Sequence, residues 1–391
     1  MATSMNDPSP NNNQISGLAG RLRNSVLDPI KKRLVGKDEI VEVLGVALIA
    51  GENTFLLGPP GTGKSALVHE LAGRLSGQAF DYLLTRFTEP SELFGPFDLR
   101  RLKEGDLVTN TEGMLPEADF VFLDELLNAN SAILNSLLLA LNERVFRRGR
   151  ETIRLPMLLA VGASNRLPED DALAALFDRF LLRVVCDNVD DDRLDEVLDA
   201  GWRREQSAEV SVSMQIDDVR KLVAETARVD LSPIRPAYLK VIKRLRQAGM
   251  PLSDRRAVRL QRVVAASALL CGRSFADVSD LWILRFIWET PAQSEMLSTH
   301  IANVTEEFSD AIKADDTQRH PLSDAASKVD PERLSDAIDA ILANDEDPTA
   351  ADQLSLLAAR VEWIETDSAR DHLRQRIAQV RQQLDKPGND D

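Results

Sequence analysis

The sequence predicts an α/β core, a parallel sheet flanked by helices and carrying hairpin inserts, followed by an all-helical lid and a helical C-terminal appendage. Three observations predict it. Short apolar runs of strand length, at 54–57, 120–123 and 157–163, alternate with stretches whose apolar residues recur at helical spacing, the order that βαβ units require. Beyond the acidic stretch Asp187 to Asp199 only helical periods follow. From about residue 307 the chain turns polar and charged, with helical pattern but no further apolar strand.

With 391 residues the chain has room for two or three domains with cores of their own. The expected divisions are a disordered N-terminus over 1–16, an α/β core over 17–195, a helical lid over 196–306, and a linker with a helical hairpin over 307–391. No apolar run approaches the ~18 residues a membrane span needs. The start, MATSMNDPSPNNNQ, has neither the basic nor the apolar segment of a secretory signal. Cys186 and Cys271 stand far apart and the four histidines are scattered, which predicts free thiols, a cytoplasmic location and no structural metal site. The 47 basic residues are outnumbered by 63 acidic ones, a net charge of −16. A protein that tracks DNA gains most of its affinity from phosphate contacts, so this balance argues against nucleic acid as the partner.

Helical pattern from Leu18 and again over Val41–Ala50 leads to the first strand. Between them, Leu34-Val35-Gly36 is either a surface for adenine or a turn before the helix. The strand Thr54–Leu57 then runs into Gly58, Pro59, Pro60, Gly61, Thr62, Gly63, Lys64 and Ser65, with a helical period from Ala66 to Leu75. This is the P-loop (Walker A) spacing. Glycines at 58, 61 and 63 let backbone N–H groups turn onto phosphate oxygens, and the helix adds the positive end of its dipole. Lys64 can reach the β- and γ-phosphates of ATP, and the Ser65 hydroxyl can ligate Mg²⁺. Pro59 and Pro60 stiffen the loop.

Asp81–Leu84 reads as the next strand. The stretch to Glu117 holds a helix start at Ser91 and a hairpin over 104–115, a working loop inserted in the core. Phe120–Leu123 delivers Asp124 and Glu125 to the carboxyl edge of a buried parallel strand. There Asp124 would hold Mg²⁺ and Glu125 would orient and polarise the attacking water.

An amphipathic helix over 131–143 precedes a hairpin over 144–156, whose Arg147, Arg148 and Arg150 are either solvated charge or face a substrate. Asn165, at the end of the third central strand, is placed to hydrogen-bond the water or the γ-phosphate, unless it merely forms the turn. After the helix Ala172–Phe177, Arg179 first and Arg183 second are candidates to reach a neighbouring subunit's γ-phosphate; the plain alternative is a local pair between Arg179 and Asp178. In the lid, Arg255 and Arg256 open a helix where cations oppose the dipole, which points to an anion, nucleotide phosphate for Arg256. The tail is read as two charged helices, Pro331–Ala343 and Ala351–Leu384, serving assembly or interaction.

Taken together, these landmarks resemble the AAA+ ATPases of the MoxR type, with closest likeness to the RavA-like subgroup, over roughly residues 20–290. The motifs that carry the resemblance include Thr85-Arg86-Phe87, Glu92-Leu93-Phe94-Gly95-Pro96, Leu115-Pro116-Glu117-Ala118, Val121-Phe122-Leu123-Asp124-Glu125, Ala132-Ile133-Leu134-Asn135, Leu141-Asn142-Glu143-Arg144 and Ser253-Asp254-Arg255-Arg256. The resemblance implies a ring, usually hexameric, with ATP and Mg²⁺ between subunits. It implies that the loop through Ala66 cradles phosphate, that Asn165 is sensor 1, Arg179 the arginine finger and Arg256 (or Arg255) sensor 2. It also implies a chaperone that remodels protein complexes with a von Willebrand factor A domain partner. The stretch after 307 departs from the family pattern and is too short for the extra domain of RavA-like proteins. The alternative function is a DNA-associated motor of helicase type; a nucleotide-gated scaffold with little turnover is disfavoured by the complete catalytic set.

Overall fold

A computed structural model describes residues 10–103, 108–148, 151–206, 211–309, 318–324, 331–343, 349–362, 364 and 366–384. In chain order the helices are α1 (Pro10–Arg21), α2 (Asp28–Arg33), α3 (Asp38–Ala50), α4 (Lys64–Arg74), α5 (Pro90–Phe94), α6 (Leu99–Lys103), α7 (Ser131–Glu143), α8 (Asp171–Phe177), α9 (Leu194–Gln206), α10 (Ile216–Glu225), α11 (Arg235–Gln247), α12 (Asp254–Leu270), α13 (Gln293–Ser309), α14 (Pro331–Leu342), α15 (Ala350–Val361) and α16 (Asp367–Leu384). The strands are β1 (Thr54–Leu57), β2 (Ala79–Leu83), β3 (Phe120–Asp124), β4 (Val145–Arg148), β5 (Glu151–Arg154), β6 (Leu159–Ser164) and β7 (Leu182–Val185). Among the described residues no helix is long and apolar enough to cross a membrane.

The chain divides into two compact units, residues 25–223 with 286–291, and residues 1–24 with 224–285 and 292–391. The first is built on a five-stranded sheet of order β2-β3-β6-β1-β7 whose pairings are all parallel. Strand β1 therefore lies inside the sheet, and its residues Phe55 and Leu56 are fully buried, as a run apolar on both faces demands. Phe55 packs edge-on against Phe177 and Phe180, centroids 4.9 and 5.8 Å away. Helix α7 buries Ile133, Leu134, Leu137 and Leu141, and Asn130 caps it by accepting from the amides of Ala132 and Ile133. The hairpin expected over 144–156 is present as the antiparallel pair β4–β5.

The hairpin expected over 104–115 differs. Thr109 pairs antiparallel with Phe97, with Asp98 N donating to Val108 O (2.8 Å) and Asn110 N to Pro96 O (2.8 Å), so the arms lie on either side of α6. Residues 104–107 lie outside the described residues, and 111–117 form a turn and a 3₁₀ turn instead of a strand. The core also extends past 195: Ser213 N donates to Arg74 O (2.7 Å) and Ser76 N to Met214 O (3.2 Å), which ties the chain after α9 to the end of α4.

The second unit is helical. The expected disorder over 1–16 is corrected from Pro10 onward, since residues 10–21 form α1; residues 1–9 lie outside the described residues. Buried Leu18 and Ala19 on α1 show why, because tertiary packing sustains a helix that its Asn-rich start does not favour. Among its described residues the tail holds three α-helices, not two. The chain reverses after α15, so that Leu354, Leu357 and Val361 and then Leu373, Ile377 and Val380 share a core with Leu334, Ile338 and Ile341 of α14. A single helix over 351–384 could not bring both stripes to one core. Part of the expected linker is packed as well. His320 is buried and stacks on Trp282 (4.2 Å), Arg273 Nε donates to Gln318 O (3.1 Å), and Arg285 Nη2 donates to Leu322 O (3.0 Å). Arg273 is itself buried in ion pairs with Asp277 (3.0 Å) and Asp280 (2.7 Å). Burial alone would lower its pKa, and the two carboxylates outweigh that and raise it.

Candidate active site

Strand β1 ends in the Gly58–Gly63 loop, and α4 opens at Lys64 with Gly63 as its N-cap. No side chain caps this helix end, so its first-turn amides stand ready for an outside acceptor at the positive end of the dipole. Gly61 and Gly63 have φ of +84° and +87°, with open space where a Cβ would stand. A Cβ on Gly58 would come within 2.0 Å of Cys186 O. The loop thus combines the approach room and the aligned donors that a triphosphate needs. Lys64 is buried, and its Nζ donates to Gly58 O (2.8 Å) and Pro59 O (2.7 Å), while Thr62 Oγ1 donates to Pro59 O (3.0 Å). Ser65 is exposed on the first turn of α4, followed by half-buried Ala66.

The parallel register brings the other groups to the same edge. Leu57 pairs with Ser164 and Leu123 with Gly162, so the loop, Asn165 and Asp124 all leave the sheet at its carboxyl end. A cavity of about 440 Å³ is lined by Gly58, Pro59 and Pro60 together with Asn165, Arg166 and Asp187. A larger cavity, about 640 Å³, lies among Arg244, Gln247, His300 and Asn303 of the helical unit and has no such loop. Leu34-Val35-Gly36 forms a turn in which Gly36 adopts φ +70°, and the neighbouring Lys37 donates to Asp187 O, beside the smaller cavity. Arg166 and Asp187 were not singled out from sequence; both follow strand ends, and only the strand order makes them neighbours of the loop.

Asp124 and Glu125 are half-buried, and Asp124 Oδ1 accepts from Glu125 N (2.9 Å). Glu125 adopts φ +49°, ψ +42°, a left-handed conformation shared by only one other non-glycine among the described residues, Arg144. Such strain is kept where it aims a side chain. Ser65 and Asp124 are the oxygen donors a hard cation takes. Among the described residues no cluster of three or more His, Cys, Asp or Glu is placed to hold a metal.

The two candidate arginines after α8 have different environments. Arg183 is buried: Nε donates to Phe180 O (3.2 Å), Nη1 to Trp288 O (2.6 Å) and Nη2 to Phe177 O (3.2 Å), and the guanidinium lies 4.0 Å over the Phe177 ring. It is a structural residue. Arg183→Met should lower unfolding free energy by roughly 2–4 kcal/mol, read from urea midpoints, because three buried carbonyls lose a charged donor. Arg179 is half-buried, and its guanidinium makes no ion pair or hydrogen bond among the described residues, with Asp178 or otherwise. Arg256 is buried in the helical unit, where its amide donates to the N-capping Ser253 Oγ (3.2 Å), and Arg255 is exposed. Arg147 is exposed with Glu143 3.5 Å away, Arg148's side chain is not described, and Arg150 lies outside the described residues.

With this geometry in place, comparison with known proteins decides the family. Residues 20–224 match the model of the MoxR domain in MoxR-vWA-beta-propeller ternary systems, and residues 234–301 match an AAA lid domain. The chain is a MoxR-type AAA+ ATPase. An uncharacterized protein of Methanocaldococcus jannaschii is 35% identical over 290 residues, 72% of this chain and 77% of that protein. The chaperone MoxR1 of Mycobacterium tuberculosis is 27% identical over 159 residues, 40% of this chain and 41% of its own. A crystal structure from Cytophaga hutchinsonii, provisionally described as an ATPase, superposes with TM-score 0.62 at 19% identity and covers 75% of this chain and 96% of that one, a likeness of fold. As a member of this family the MoxR-type ATPase binds nucleotide and hydrolyses ATP, on the α/β core with helical lid that its sequence predicted. The finer likeness to the RavA-like subgroup rests on the sequence motifs alone.

Proposed function

We propose that this MoxR-type ATPase works as a ring, hydrolysing ATP between neighbouring subunits to remodel or mature protein complexes together with a von Willebrand factor A domain partner. The observation that carries the ring is Arg179, a cation whose guanidinium has no partner among the described residues, just after α8 and four residues from an arginine that is fully engaged. The partner class is supported by the description of the matched domain model, and the chaperone role by the name of the Mycobacterium relative.

In this reading the amides of the Gly58–Ala66 loop bind the phosphates and Lys64 neutralises the β- and γ-oxygens. Ser65 and Asp124 hold Mg²⁺, which when bound offsets the charge that builds on the phosphate oxygens. Glu125 orients the attacking water and accepts its proton. Asn165 hydrogen-bonds the same water or the γ-phosphate, Arg256 reports on nucleotide from the lid, and Arg179 stabilises the transition state in the adjacent subunit.

The test uses the Glu125→Gln chain immobilised with ATP and a purified von Willebrand factor A domain protein from the same organism. Retention with ATP, lost without nucleotide or with Lys64→Ala, is the expected result. Absence of retention, with turnover of the unaltered chain stimulated by duplex DNA and suppressed by salt, would contradict the proposal and identify a DNA motor.

A further inference from the structure

We infer that Asn53 and Arg144 form the mount that positions Arg179, and that through Arg144 this mount is continuous with the β4–β5 hairpin. The inference rests on the assignment of Arg179 in the proposed function.

Asn53 precedes β1, at the end of the strand opposite the phosphate loop, and is completely buried. An amide buried this deeply must have its donors and acceptor satisfied, so its partners are diagnostic. Asn53 Nδ2 donates to Leu141 O (3.2 Å), in the last turn of α7, and to Arg179 O (3.1 Å). Asn53 Oδ1 accepts from Arg144 Nη2 (2.8 Å). Its main-chain carbonyl accepts from Leu181 N (3.1 Å), so side chain and backbone together grip both sides of Phe180. The segment bearing Arg179 is thereby fixed to the sheet and to α7 through one residue.

Arg144 supplies the second half. It caps α7 in the left-handed conformation, φ +54°, where glycine is the ordinary occupant. An arginine kept there is held by what its side chain does: Nη2 reaches Asn53 Oδ1 and also Gly51 O (3.2 Å). Its own carbonyl accepts from Leu155 N (2.8 Å), which closes the base of the β4–β5 hairpin. A displacement of that hairpin therefore bears on Arg144, then Asn53, then the carbonyl of Arg179. Asn53 and Arg144 touch no reacting atom; they are positioning residues.

The expected result for Asn53→Ala is a kcat lower by about 10–100-fold with KM for ATP unchanged, the size of loss that a misplaced group produces. The defect should be one of donation to the neighbour. Mixing Asn53→Ala subunits with Lys64→Ala subunits, which cannot use ATP but carry an intact Arg179, should recover turnover. On an Arg179→Ala background, Asn53→Ala should add no further loss. Arg144→Gln is the second variant, measured in the same way should Asn53→Ala fold poorly. Both variants turning over at the parent rate, a loss additive with Arg179→Ala, or mixtures no more active than their parts would overturn the mount. If Arg179→Ala itself kept the parent rate, the finger assignment would fall first and the mount with it, an outcome distinct from the others.

Discussion

Arg179→Ala should lower turnover by about 10³–10⁵-fold while leaving nucleotide affinity unchanged, since a guanidinium acting on the transferring phosphoryl group stabilises charge that exists only in the transition state. Titration with a fluorescent ATP analogue beside steady-state phosphate release separates the two quantities. The expectation follows from the contrast between neighbours. The guanidinium of Arg183 is spent on the carbonyls of Phe177, Phe180 and Trp288, whereas that of Arg179 has no partner among the described residues. Equal loss of binding and turnover would assign Arg179 to ground-state binding instead.

Glu125→Gln should abolish turnover to a similar practical extent, about 10²–10⁴-fold, with ATP still bound. The substitution keeps the shape and hydrogen-bonding reach of the side chain and removes only its basicity. The left-handed backbone at φ +49° is set by the turn after β3 and is not expected to relax in the variant. Single-turnover assays distinguish this from slow product release: the Gln variant should hold unhydrolysed ATP. Hydrolysis at the parent rate would remove Glu125 as the base.

Much of the site was legible because its chemistry constrains neighbouring residues. The phosphate loop, the Asp124-Glu125 pair and Asn165 each occupy a strand end, and a parallel sheet delivers all its carboxyl ends to one edge, so local pattern was enough to bring them together. The ranking of Arg179 ahead of Arg183 comes from position and resemblance, while the difference in their environments was not legible. Both lie in one short run, and what separates them is the carbonyl of Trp288, 105 residues further along. Asn53 reads locally as a turn residue before a strand, and its partners lie 88 and 126 residues away. The early start of α1, at Pro10 instead of near Leu18, and the break between α15 and α16 were missed for a related reason: polar composition and continuous helical period describe a segment alone, while the packing of buried Leu18, Leu357 and Ile377 is tertiary. The hairpin at 104–115 was displaced because Phe97, the strand partner of Thr109, lies beyond a helix that sequence pattern did not mark.

The central claim is that one ATP is used by two subunits, and specific ATPase activity measured against protein concentration, with native mass determined on the same samples at saturating ATP and Mg²⁺, tests it most directly. Activity per subunit should fall as dilution breaks the assembly, and rise again when Arg179→Ala and Lys64→Ala chains, each inactive alone, are mixed. A single subunit by mass that hydrolyses ATP at the undiluted rate would contradict the account.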